Sequence, residues 1–281
     1  MWGYMRKLAI GTALTGALAL GVLAAPAAQA DSPALTFAGV KVNHGKKIVV
    51  GTTAKVKVPV TYTLTRPADL TLDYKKNFAG VMLYRGPLAE QDSSIEPDTA
   101  PTCTTTATTA TTVTASCTET LVIDPWDTLY EAADAGTWKT AGFYGHSASD
   151  VDDSDGHISL EFGYDVWANS ATATIQHAAK LTVDATPEPV EKGRTLTVKG
   201  KLTRADWKKG VYSGYRGQKV TLQFKAKGAS SYSTVRTITS GTGGALSTTV
   251  KAGKDGYYRF AFAGTATTAA RTAAADYVDV K

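Results

Sequence analysis

The acidic run Asp150-Val151-Asp152-Asp153-Ser154-Asp155-Gly156-His157 is the segment whose residue types and spacing come nearest to a chemical site. A calcium ion takes about six to eight hard oxygen ligands, and alternating acidic residues in a Gly-turned loop can present several carboxylates and carbonyls to one ion. The candidate ligands are Asp150, Asp152, Asp153 and Asp155; Glu161 follows a few residues on, and Asp124 and Asp127 could join only if folding brings them near. A loop calcium site and a solvated acidic loop both fit this pattern.

A second candidate is Trp207-Lys208-Lys209-Gly210-Val211-Tyr212-Ser213-Gly214-Tyr215-Arg216-Gly217. Its glycines and charges predict a loop, and exposed aromatic faces stack on sugar rings while Lys and Arg attract anions. Trp207, Lys208, Lys209, Tyr212, Tyr215 and Arg216 could therefore grip an acidic glycan or wall polymer. The alternative is that Trp207 and one Tyr cover the end of a sandwich core.

Signatures of catalysis fail one by one. Aligning Asp153, Asp155 and Gly156 with an EF-hand loop puts Val151 in the first ligand position, and starting at Asp150 displaces the Gly by one. Gly145-His146-Ser147-Ala148-Ser149 opens like the nucleophile elbow of hydrolases, but Ser149 replaces the second Gly and no strand–helix alternation surrounds it. No His-Glu-x-x-His, phosphate-binding Gly loop or dinucleotide fingerprint occurs. With two cysteines and four histidines, none of them near the cysteines, a zinc site of the usual kinds is not expected. The reading is a non-catalytic protein, with a hydrolase lacking a local motif as the third choice after the calcium-binding one.

Residues 1–30 read as a secretory signal: Arg6 and Lys7, then an apolar stretch from Leu8 to Ala25, then Ala28-Gln29-Ala30 as a cleavage site. A retained anchor is the alternative, but the stretch is rich in Gly and Ala and ends in Ala-x-Ala. The expected product begins at Asp31 and is released or held outside the cell non-covalently, with no transmembrane anchor after cleavage. Export permits a disulfide, and Cys103 and Cys117 are the only pair. They enclose an uncharged Thr-rich segment, a pinned hairpin or surface loop whose closure contributes about 3 kcal/mol in the chain-entropy model.

The elements that must position these residues are strands. Val56, Val58, Val60, Tyr62 and Leu64 alternate with polar residues or proline, and short apolar runs recur at 81–84, 121–123, 158–162, 220–224 and 258–262, separated by Asp155-Gly156, Gly243-Gly244 and Asp255-Gly256. Thr61-Tyr62-Thr63-Leu64-Thr65-Arg66 is echoed by Lys201-Leu202-Thr203-Arg204, and Asp134-Ala135-Gly136-Thr137-Trp138 by Asp255-Gly256-Tyr257-Tyr258. The fold class predicted is all-β, two sandwiches in tandem after the signal, with residues 31–184 and 185–281 as the two domains and the junction at Asp184 to Pro189.

Asp134-x-Gly136-x-Trp138 resembles the Asp-x-Gly-x-Tyr corner of immunoglobulin-like sandwiches, with Trp in place of Tyr and no following cysteine. Through Ala185 to Gly193, Gly200 to Trp207 and Asp255 to Phe260, the mature chain also resembles secreted tandem immunoglobulin-like proteins of actinobacteria. That resemblance implies fold and export and supplies no reaction; some members of the family carry a loose calcium-binding label.

Charge separates the halves. Residues 31–184 hold 11 basic and 19 acidic residues, a net of −8, whereas residues 185–281 hold 17 basic and 6 acidic, a net of +11. Such a dipolar chain favours cations at one half and anionic polymers at the other, or head-to-tail contact with another protein molecule, and these effects weaken with salt. A nucleic-acid partner is not expected, because export removes it and no recognised module is present.

Overall fold

In the computed structural model, which describes residues 32–74, 76–88, 93–148 and 161–281, the alternating runs become strands of two sandwiches. The first contains β1 (Thr36–Val42), β2 (Ile48–Val50), β3 (Val56–Pro67), β4 (Asn77–Arg85), β5 (Ser93–Ile95), β6 (Thr102–Thr108), β7 (Thr112–Ile123), β8 (Gly136–Ala148) and β9 (Glu161–His177). One sheet has the order β1-β3-β7-β6 and the other β2-β9-β8-β4-β5. Every pair is antiparallel except β2 with β9. In chain order this is the A-B-E-D sheet facing the G-F-C-C′ sheet of an immunoglobulin sandwich, with the first strand switching sheets as β2.

Period-two alternation decides which face of each strand is buried. Val58, Val60, Tyr62 and Leu64 on β3 meet Ala115, Cys117, Leu121 and Ile123 on β7 and the inner residues of the opposing sheet, among them Val81, Leu83, Trp138 and Ile175. The outer side of the same sheet carries hydroxyls in register: Thr36, Thr65 and Thr114 form one row, Thr61, Thr118 and Thr102 another.

Cys103 and Cys117 are directly opposite on β6 and β7 and are joined as a disulfide. The bond pins the edge strand β6, so the Thr-rich segment is a hairpin. Replacing both cysteines by serine is expected to cost about 3 kcal/mol by the loop-entropy relation. Chemical denaturation of the oxidised protein and the double variant measures it, and equal midpoints would show that the β6/β7 ladder holds without the crosslink.

The Trp corner also forms. Trp138, two residues into β8, donates from Nε1 to the carbonyl of Asp134 at 2.9 Å, and it is almost fully buried. The i to i−4 contact does what the Tyr hydroxyl does in the usual corner.

The second sandwich contains β10 (Ala179–Leu181), β11 (Asp184–Thr186), β12 (Thr195–Asp206), β13 (Val211–Gly214), β14 (Lys219–Ala226), β15 (Ser233–Thr239), β16 (Ala245–Lys251), β17 (Gly256–Phe262), β18 (Arg271–Thr272) and β19 (Asp276–Val278). β12 is the axis of one sheet and pairs with β10, β11, β13 and β16. The facing sheet has the order β15-β14-β17, with β18 and β19 both on the far side of β17. Leu196, Val198, Leu202, Val220, Leu222, Tyr258, Phe260 and Phe262 fill the space between. Gly200 of β12 packs closely on the chain just after β10: a Cβ there would lie 2.2 Å from the Thr182 carbonyl oxygen, so only Gly fits.

Two details differ from the sequence reading. Asp184–Thr186 is a strand paired with Thr197–Lys199 instead of a free junction. The chain passes between sandwiches at Ala178, the single residue between β9 and β10, so residues 179–181 already pair with the second sandwich.

Candidate functional site

β12 begins in the second core and ends in the first, and the hairpin that follows it is the segment expected to be an aromatic binding loop. Residues 207–210 are its turn and Val211–Gly214 is β13, paired back on Thr203–Asp206. Asp206 fixes the turn by accepting from the Lys209 backbone at 3.2 Å and the Ser213 hydroxyl at 2.9 Å, an Asx arrangement suited to reversing the chain.

Of the two readings of this segment, the structure shows the core-covering one for Trp207 and corrects its placement as an exposed stacking platform: it is 3% exposed and lies in the core of the first sandwich. Its Nε1 donates to the Gly51 carbonyl at 2.9 Å, and its ring stacks on His177 with centroids 3.8 Å apart. Tyr212 packs against the same core and is covered by the Lys180 ammonium 3.9 Å from its ring centre. Tyr215 packs on the second core beneath Arg204, 4.5 Å away. Lys208, Lys209 and Arg216 are exposed, so folding separates the six residues: the aromatics join the sandwiches and the three cations face solvent. The reason is apolar area, since burying a Trp ring is worth more than leaving it as a loop contact.

The seam around Trp207 is polar as well as packed. Gln176 donates from Nε2 to the carbonyls of Thr265 and Ala266 at 2.8 and 3.1 Å. The His177 backbone N–H donates to Thr267 and its carbonyl accepts from Ala269. The His177 side chain is 1% exposed, and its Nδ1 has no partner. Burial, reinforced by the Arg204 charge, lowers its pKa from the usual 6.5 to about 4 and keeps the ring neutral, against the opposing pull of the Ala132 and Ala205 backbone and, last, of Asp206.

On the surface beside the seam, Trp126 and Tyr130 are 58% and 42% exposed. They line a shallow cleft of about 260 Å³ with Pro125, Leu129 and Lys208. Gly210 makes their packing possible: it has φ +66°, and a Cβ on it would meet Trp126 at 2.2 Å. The sequence signal for this pair was Pro125-Trp126 in a polar loop, which pointed only to its acidic neighbours. Asp124 is instead paired with Lys55 at 2.9 Å, and its carboxyl is held below the usual range first by the Trp126 N–H and then by Lys55.

A larger cleft, about 380 Å³, opens at the end of the second sandwich between Lys192, Lys227, Lys254, Lys281 and Asp255. The carboxylate of Asp255 is used internally, accepting from the Val280 N–H at 3.0 Å and the Tyr277 hydroxyl at 3.3 Å and pairing with Lys227 at 3.5 Å. In the repeat of the corner, therefore, the acidic residue moved one place closer to the Gly ties down the C-terminal strand. Lysines dominate what remains of the cleft.

A buried polar clamp inside the first core was not foreseen. Glu119 takes an inward position of β7 and spans the sheets: Oε1 accepts from the Val81 N–H at 2.9 Å on β4, and Oε2 accepts from the Tyr62 hydroxyl at 3.0 Å on β3. Burial raises its pKa from 4.5 to about 7 against the opposing pull of those two donors. The Tyr62 hydroxyl is driven upward by burial and by the Glu119 charge and stays protonated.

The acidic residues Asp150, Asp152, Asp153 and Asp155, proposed from sequence to hold calcium, lie outside the described residues. Among the described residues no cluster of three or more His, Cys, Asp or Glu could hold a metal ion. Nor is any described helix long and apolar enough to cross a membrane.

No protein-family model matches the chain, and no curated protein matches it. Among solved structures it is similar to the D00-D0 domain of Intimin, at 15% identity over 85% of this chain and 98% of that one, with a TM-score of 0.28. It is similar also to the ectodomain of mouse nectin-like molecule 4 (Ig1–Ig3), at 12% identity over 88% of this chain and 64% of that one, with a TM-score of 0.24. The fold stands on strand order and on the Trp138 corner: the described chain is all-β, with an immunoglobulin-like sandwich formed by its first nine strands.

Proposed function

We propose that this is a secreted, non-catalytic binding or structural protein that attaches to an anionic polymer of the cell wall or extracellular space through its basic C-terminal sandwich. The observation that carries the reading is the segregation of charge, −8 in residues 31–184 against +11 in residues 185–281. The long-range field of such a patch draws anionic chains and orients them toward one end of the molecule. The lysine-lined cleft gives that charge a place to act, because its one acidic side chain, Asp255, is occupied by Lys227, Tyr277 and the Val280 N–H.

The lining groups are lysines with Asp255 in one cleft, and aromatics with Glu131 and Lys208 in the other. Export rests on residues 1–30, whose charged start, apolar stretch and Ala-x-Ala end supply its support. Co-sedimentation of the mature protein with purified cell wall tests the attachment. Retention at low salt that fades as ionic strength passes a few tenths molar, where the screening length drops to about 5 Å, is the expected result. A protein that stays in the supernatant at low salt would sink the reading.

A further inference from the structure

We infer that the outer face of the β15-β14-β17-β19 sheet is a track for a linear acidic polysaccharide, built from cations that are held in place by tyrosine rings. The inference rests on the anionic-polymer reading and assigns it a surface and a ligand class.

Strand register puts the face together. Tyr258, Phe260 and Phe262 of β17 point into the core, so Tyr257 and Arg259 point out. Lys225 on β14, Tyr257 on β17 and Tyr277 on β19 are direct cross-strand partners in one row, and Gln223 and Arg259 are partners in the next. Tyr232, immediately before β15, completes the group.

The cations are organised by rings. The Arg259 guanidinium lies 3.6 Å from the Tyr232 ring centre, and its Nε donates to Gln223 at 2.8 Å. The Lys225 ammonium is 5.2 Å from both Tyr232 and Tyr257. Lys227 stands 5.7 Å from Tyr277, whose ring is 5.1 Å from Tyr257.

What a ring does to a cation differs from what a carboxylate does. A carboxylate partner fixes the side chain and cancels its charge, whereas the ring quadrupole fixes it and leaves the net charge in place. Among the ion pairs of the described residues, none involves Lys225 or Arg259, and Lys227 alone shares Asp255. In the first sandwich Lys55 and Arg85 are paired with Asp124 and Asp134, although Arg85 also lies 5.7 Å from the Trp138 ring and Lys139 the same distance from Tyr84. The C-terminal face is thus preorganised and un-neutralised, which is what an incoming polyanion requires.

The geometry suits linked sugar rings. Neighbouring strands are about 4.8 Å apart, close to the length of one pyranose unit in an extended chain. A polymer running across the strands therefore meets a cation or a tyrosine edge at each step, and the track continues at Lys227 into the lysine-lined cleft.

The test uses the mature chain, with binding measured by isothermal calorimetry at low salt. The probes are polygalacturonate, its fully methyl-esterified uncharged form, single-stranded DNA of equal charge, and phosphatidylglycerol vesicles. Lys225→Gln with Arg259→Gln is expected to weaken polygalacturonate binding tenfold or more. Tyr232→Leu, which removes no charge but frees Arg259, is expected to weaken it several-fold, with circular dichroism confirming an unchanged fold in each variant. The methyl ester should give no heat.

If the wild-type protein binds polygalacturonate and the face variants bind equally well, the track is wrong while polymer attachment survives; loss in Lys192→Gln with Lys254→Gln would then assign binding to the cleft alone. If the wild-type protein binds none of the anionic probes, the attachment reading itself fails. Tighter binding to DNA or to vesicles than to polygalacturonate overturns the polysaccharide assignment.

Discussion

Trp207→Ala is expected to cost the folded protein about 4 kcal/mol, the middle of the range for truncating a buried Trp. The ring is 3% exposed, stacks on His177 and donates to the Gly51 carbonyl, so truncation opens a cavity and strips a half-buried acceptor of its donor. Because Trp207 directly follows β12, the strand that begins in the second core, the loss falls on the joint between sandwiches as well as on the first core. Wild-type urea denaturation should be a single transition, and in Trp207→Ala the first sandwich should melt ahead of the second. Trp207→Phe, which keeps part of the packing and loses the N–H together with three ring atoms, should cost about 2 kcal/mol. If Trp207→Ala shifts stability by less than that, the seam does not depend on this residue.

The second large effect is a pH dependence hidden by two buried groups of opposite sense. His177 has a folded pKa of about 4 against 6.5, so the unfolded chain binds more protons between those values. Its share of stability is complete above about pH 6.5 and is lost as pH falls toward 4. Glu119 has a folded pKa of about 7 against 4.5, so the folded chain binds more protons. Its share is complete below about pH 4.5 and is lost as pH rises through 7. Each shift corresponds to roughly 3 kcal/mol, and between about pH 4.5 and 6.5 the two slopes cancel.

The wild-type protein should therefore show a nearly flat profile across that window. Glu119→Gln is expected to unmask His177, with stability falling by about 3 kcal/mol from pH 6.5 to 4; His177→Phe is expected to unmask Glu119, with stability falling as pH rises from 4.5 to 7. Denaturation midpoints at half-unit pH steps for the three proteins decide it. Parallel profiles for all three would show that neither group is buried as described.

The strands were readable because their signal is periodic and local. The alternation from Val56 to Leu64 became β3 with its apolar residues inward, and Gly243-Gly244 became the turn before β16. The corner was readable for the same reason, since Trp138 reaches back four residues to Asp134. Glu119 breaks the period. A charged residue at an inward position reads as a departure from the pattern until its partners are known, and these come from strands 57 and 38 residues away.

Composition and period-two patterning determined by themselves that the chain is all-β with opposed charge in its two halves, because each of these is a sum or a near-neighbour relation along the chain. Only the tertiary structure decided which aromatics are core and which charges are free. The partner that captures Trp207 is Gly51, 156 residues away, and Arg259 meets Tyr232 through pairing across three strands. Burial of a ring and neutralisation of a charge depend on what the fold brings alongside, and a strand that crosses from one core into the other cannot announce that crossing in its own residues.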